Sequence, residues 1–185
     1  MKNLILVVIV IAVVWWLQSS PSVDDVRDTG GQLSIGEYRI TPLQEQFEIS
    51  ARVLGRKDYT FGREADLSPM DLALGWGPMA DPEVIAAFDI SQSGRWYRWR
   101  AQQLPIPLRS VQTHSANMHM VPANQLIADR LNDIREGDLI ELSGQLIRAD
   151  APDGWRWISS LTRNDTGDGS CELVLVEDVR VVSDQ

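Results

Sequence analysis

The chain has 185 residues, 26 acidic against 17 basic side chains, and a formal net charge of −9. That balance argues against wholesale nucleic-acid binding, because no net positive field is available to release counterions, and it disfavours broad adhesion to anionic lipid. The single cysteine, Cys171, rules out an internal disulfide, and the length is natural for one domain that buries its own hydrophobic core.

Met1-Lys2-Asn3 precedes an unbroken apolar run from Leu4 to Leu17, followed by Gln18-Ser19-Ser20-Pro21. That run is about 14 residues, or roughly 21 Å as a helix, against a hydrocarbon core of ~30 Å. Taken alone the length suits the apolar region of a cleaved signal peptide. An uncleaved anchor is favoured by Trp15 and Trp16, placed where an aromatic belt meets the outer interface, and by weak small-x-small patterns around Ser20. Extending the helix from Lys2 to Ser20 lengthens the span, with Lys2 free to snorkel. Lys2 ahead of the run and Asp24, Asp25 and Asp28 behind it put the amino terminus in the cytosol and the rest outside. No cysteine stands directly after the run, which excludes a lipoprotein anchor. The expected division is a signal anchor over 1–20, a linker over 21–33 and an extracytoplasmic β-rich domain over 34–185. The expected location is the inner membrane, single-pass, with the domain in the periplasm.

Past the polar tether, Gln46 to Val53 alternates polar and apolar and predicts a half-buried strand, with Tyr38 and Ile40 before Pro42 as its hairpin partner. Ser68-Pro69-Met70-Asp71 carries an N-cap serine and a proline at the first helical position, so a short helix is expected, stopped by Gly75 and Gly77. Asp81-Pro82-Glu83 repeats that grammar and opens a helix through Phe88. Arg95 to Arg100 is aromatic enough to be a strand, and Leu104 to Pro107 is extended. A helix is expected from Asn124 to Ile134, with Leu126, Ile127, Leu131 and Ile134 on one face. Asp138 to Arg148 predicts a long strand with Gly144 at a bulge or a close backbone approach. Pro152-Asp153-Gly154 turns the chain into a returning strand to Ser160, on which Trp155 and Trp157 share an inward face. Glu172 to Val182 supplies the closing strand. The fold class expected is mainly β (α+β): a small OB-like or related β-barrel with short inserted helices, preceded by one transmembrane helix.

Two polar clusters could carry chemistry. Thr113 to His119 holds both histidines of the chain, His114 and His119, together with Asn117. Their spacing is not the four-apart helical pair of a zinc protease and no carboxylate lies within the motif, so no metal is expected. The residues suit either a loop whose side chains bond backbone or a ligand-binding site; on a strand the two histidines would face opposite ways. Ser159 to Glu172 contains Asn164, Thr166, Asp168 and Gly169 at calcium-loop places, but Leu175 stands where a bidentate glutamate is needed. An Asp/Gly turn explains those residues as well. Candidate ligand-binding residues are His114, Asn117, His119, Arg163, Asp165 and Thr166. Cys171 with His114 and Asn117 offers the residue types of a thiolate nucleophile, against the plainer reading of a cysteine packed at a strand start. Trp96, Arg98 and Arg100 share one face of their strand, a stacking surface or the rim of a core.

The stretches Leu67 to Met79, His114 to His119 and Ser159 to Gly167 make the chain resemble a group of uncharacterised bacterial membrane-anchored proteins. That resemblance covers most of the part beyond the anchor and implies no activity. The layout of anchor and barrel is also similar in outline to periplasmic haem chaperones, whose haem-attaching histidine follows the barrel; here no histidine follows His119. The function expected is a membrane-anchored extracytoplasmic binding or assembly module of the cell envelope. It would reach the membrane through its amino-terminal helix, and an envelope protein or a small ligand through its domain, with no cofactor. The alternative is a hydrolase or transferase using His114, Asn117 and His119 with Cys171.

Overall fold

A computed structural model describes residues 24–162 and 170–183. The amino-terminal segment read as an anchor lies outside them, and no helix among the described residues is long and apolar enough to cross a membrane. In chain order the strands are β1 (Arg27–Asp28), β2 (Leu33–Ile35), β3 (Tyr38–Asp58), β4 (Met70–Gly75), β5 (Asp89–Ser93), β6 (Trp96–Arg100), β7 (Ser115–Pro122), β8 (Leu139–Asp150), β9 (Arg156–Ile158) and β10 (Glu172–Val182). The helices are α1 (Arg63–Leu67), α2 (Pro82–Ile85), α3 (Leu108–Thr113) and α4 (Gln125–Asp133), with a 3₁₀ turn at Gly77–Ala80. The domain is mainly β, as its alternating segments imply.

One sheet runs β1-β2-β3-β4-β7-β10-β8-β9, and β3 also pairs with β8, so that β3, β4, β7, β10 and β8 close on themselves as a ring. The β7–β10 pairing is parallel and the rest of the ring is antiparallel. The interior of the ring is filled by Phe47, Val53, Met70, Leu72, Leu74, Met118, Met120, Ile140, Leu142 and Val174, and α4 closes it with Ile127, Leu131 and Ile134. Two further apolar layers lie on the ring's outer surface. Ile35, Tyr38, Ile40, Ile147 and Leu173 pack with Trp155 and Trp157 on one side. Leu54, Ala73, Met79 and Val111 pack beneath Tyr97 and Trp99 of the separate β5–β6 hairpin on another.

Several expectations change. Tyr38 and Ile40 belong to the same strand as Phe47 to Val53; β3 runs unbroken through Pro42 because its register against β8 slips there and again before Phe47. A bulged strand tolerates a residue that cannot donate to the ladder. Those slips move the buried side chains from the outer layer (Ile40) to the ring interior (Phe47). The helix expected from Ser68 is instead strand β4, and the helix of that region, α1, lies just before it. β4 is buried on both faces, so its apolar run lacks the alternation that marks a half-exposed strand. Leu126 points outward and is 60% exposed, while Ile127 and Leu131 hold the core face of α4. The tether also contributes, since Arg27–Asp28 and Leu33–Ile35 pair as a small hairpin on β3. Asp81 caps α2 through Glu83 N (2.8 Å), and Asn124 caps α4 through Ile127 N (3.1 Å), as expected of those residue types.

Gly144 marks the closest approach in the ring: a Cβ on it would stand 2.0 Å from the Leu175 carbonyl oxygen. Close backbone contact therefore makes glycine necessary there, on the strand facing the register slip at Val176–Asp178 of β10.

Candidate functional site

Strand alternation sends Met70, Leu72, Met118 and Met120 into the ring and leaves Asp71, Asn117 and His119 on its outer face. Asp71 is paired directly across the ladder with His119, and Ala73 with Asn117. The side chains of Asn117 and His119 therefore lean toward one carboxylate, which is itself fully buried. His119 Nδ1 donates to Asp71 Oδ1 at 2.8 Å, and Asn117 Nδ2 donates to Asp71 Oδ2 at 3.1 Å.

A third donor comes from the β5–β6 hairpin. Ser93 pairs with Trp96, so Gly94 and Arg95 form a two-residue loop, and both have positive φ (57° and 68°). That is the geometry in which a tight hairpin turn matches strand twist, and it is unusual for an arginine. The strain at Arg95 is offset by its contacts. Nη1 donates to Asp71 Oδ1 (2.7 Å), Nη2 donates to the Ser68 carbonyl (2.9 Å), and the backbone N–H donates to the Tyr59 hydroxyl (3.0 Å). The guanidinium carbon lies 3.7 Å from the Tyr59 ring centroid and 5.5 Å from that of Trp157. Trp157 also packs on His119 at 4.7 Å between centroids. Burial, then the Asp71 charge, raises the Tyr59 phenol above its ordinary pKa.

The amide of Asn117 is fully engaged. Nδ2 also donates to the Arg95 carbonyl (3.1 Å), and Oδ1 accepts from Gln92 Nε2 (2.8 Å). Gly55 leaves room for that glutamine, because a Cβ there would be 2.8 Å from Gln92 Oε1. Arg95, Asn117, Gln92 and Asp71 thus latch the hairpin to the ring through a buried, charge-assisted network. Beside it, the half-buried Tyr97 hydroxyl meets Ser115 Oγ at 2.8 Å, and burial pushes its pKa from 10.0 up to about 12.

The six candidate residues separate. Asn117 and His119 share one network. His114 does not join it; it caps α3, with Nδ1 bonded to the Ser110 carbonyl (2.9 Å) and to Thr113 Oγ1 (3.1 Å), and its ring fits against Gly77. A Cβ at Gly77 would lie 2.9 Å from His114 Cδ2. The expected loop around the histidines is therefore a helix end followed by strand β7. Arg163, Asp165 and Thr166, and with them the calcium-loop places before Ser170, lie outside the described residues. Cys171 is half-buried, with Sγ 4.0 Å from the Arg95 carbonyl oxygen. Among the described residues no three His, Cys, Asp or Glu side chains converge as metal ligands.

The sequence pattern does not mark Asp71, Arg95, Gln92 and Tyr59 as partners of this cluster. It holds one signal: Asp71 is the lone charge in the run Met70 to Leu74, and a charge inside a buried apolar segment must be paired. Comparison with known proteins adds no identity: no family model matches the chain, and no curated protein matches it in sequence.

Proposed function

We propose that this chain is a single-pass inner-membrane protein whose β-rich domain stands in the periplasm and acts as a binding or assembly module for an envelope protein or a small ligand. Membership of the membrane-anchored group that it resembles belongs to the same proposal. So does the finer description of the fold as an OB-like barrel. Its support is a ring of five strands, one parallel pair between β7 and β10, and a helix, α4, inserted between β7 and β8 and seated over the core.

The observation that carries the module reading is the closure of the Asp71 network. Every polar atom of the Asn117 amide is spent on protein partners, and His114 is spent on a helix end. The residues best suited to catalysis thus hold a rigid frame together, which a binding domain needs. Equilibrium unfolding tests this. Asn117→Ala leaves Gln92, the Arg95 carbonyl and Asp71 short of partners and is expected to cost about 2–4 kcal/mol. An Asn117→Ala domain of unchanged stability would overturn the structural role.

One observation favours the second reading, a hydrolase or transferase. His119 is held through Nδ1 by a buried carboxylate, the arrangement that orients an imidazole as a base, and among the described residues none hydrogen-bonds Nε2. If that imidazole serves Cys171, His119→Gln slows alkylation of the thiol by iodoacetamide at least tenfold at neutral pH. Equal rates leave the module reading in place.

A further inference from the structure

A cavity of about 480 Å³ opens between α1, α4 and the adjoining ends of β3 and β4, and shares Tyr59 with the Asp71 network. That volume suits a small molecule. Tyr38, Tyr59, Met70 and Leu131 belong to its apolar lining, and the exposed carboxylates of Asp24, Glu37 and Asp66 stand in its lining beside neutral polar side chains such as Gln125. Among the described residues no lysine, arginine or histidine contributes to the lining. Arg63, in α1 beside it, is committed elsewhere, to both oxygens of Asp153 at 3.2 and 2.6 Å. Burial first, then the Asp66 and Glu37 charges, raise the Tyr38 phenol above its ordinary pKa, against a smaller opposing effect of the Arg63 charge.

We propose that this cavity binds a small organic ammonium ion with an apolar body. The inference rests on the module reading and names the class of ligand. Carboxylates at the mouth supply the opposite charge and apolar side chains take the hydrocarbon part, while the Tyr38 and Tyr59 rings add aromatic surface, one side of Tyr59 already carrying the Arg95 guanidinium. A hard metal ion would instead need several oxygens converging on one point, and no such group of acidic side chains occurs among the described residues.

The test is calorimetric titration of the full-length protein in detergent with phenethylammonium and with its neutral counterpart 2-phenylethanol. Saturable binding of the ammonium, at least tenfold tighter than the alcohol and weakened by salt, is expected. The Glu37→Gln/Asp66→Asn variant should lose at least fivefold in affinity while its melting temperature stays unchanged. Asp66→Asn alone provides the same reading, in smaller measure, should the double variant fold poorly. Equal binding of the alcohol, or undiminished binding by the charge-neutralised variants, overturns the proposal. Absence of saturable ammonium binding overturns it too but leaves the module reading intact, since that reading is tested separately by the unfolding of Asn117→Ala.

Discussion

Asp71 accepts hydrogen bonds from His119, Arg95 and Asn117 while fully shielded from water, so its removal leaves a guanidinium only 17% exposed without its counter-ion. Breaking one side of such a pair is costly because the remaining charge stays desolvated. Asp71→Ala is therefore expected to lose about 3–5 kcal/mol in urea unfolding, and Asp71→Ala/Arg95→Ala less than the sum of the single losses. Tyr97 gives a pH signature of the same region. Its phenol ordinarily titrates at 10.0, and at about 12 in the fold. The unfolded chain thus sheds this proton first, and the stabilisation, complete below the lower value, is lost as pH rises toward the upper one. That loss is roughly 2–3 kcal/mol, and Tyr97→Phe should flatten the corresponding fall in alkaline unfolding curves. The sequence exposed the residue types of the network only partly. His119 and Asn117 stood out because imidazoles are scarce in the chain, whereas Asp71 and Arg95 meet them from 46 and 22 or more residues away, a proximity that only the ladder register and the hairpin turn create.

Among the elements, those with one buried face were the legible ones. β8 alternates, α4 carries a cap and an apolar stripe, and each lies within a few residues of its expected bounds; β10 was legible instead as an apolar run, Leu173 to Val176, that is buried on both faces. β4 was not legible as a strand because both of its faces are covered, the ring core on one side and the hairpin layer on the other. Pro69 ahead of it mimics a helix start while in fact preceding an extended run. β3 misled for a different reason: its bulges shift the buried side chains from one periodicity to another within a single strand. Gly144 was legible as a special position, and its cause is the Leu175 carbonyl rather than a positive φ. Gly144→Ala should force β8 away from β10 and cost about 3 kcal/mol by overpacking, measurable as a lowered midpoint in denaturant. An unchanged midpoint would mean that the two strands can separate freely at this point.

For the whole molecule, net charge, cysteine count and the apolar amino terminus bound what the domain can be without saying what it binds. The proposed module would engage its target through a mainly β domain whose polar latch and carboxylate-rimmed cavity share Tyr59. The carboxylate-rimmed cavity was illegible in the sequence, because Asp24, Glu37, Tyr59 and Leu131 come from four separate elements or loops that only the closed ring brings together. The proposed placement of this domain outside the cytoplasm rests on Lys2 before the apolar run and the aspartates after it. Its most direct test is a pair of fusions after Gln185, alkaline phosphatase in one and a cytoplasm-dependent fluorescent protein in the other. Extracytoplasmic placement predicts phosphatase activity that disappears when residues 1–20 are deleted, with the product recovered in the membrane fraction. A fluorescent full-length fusion with an inactive phosphatase partner would contradict it.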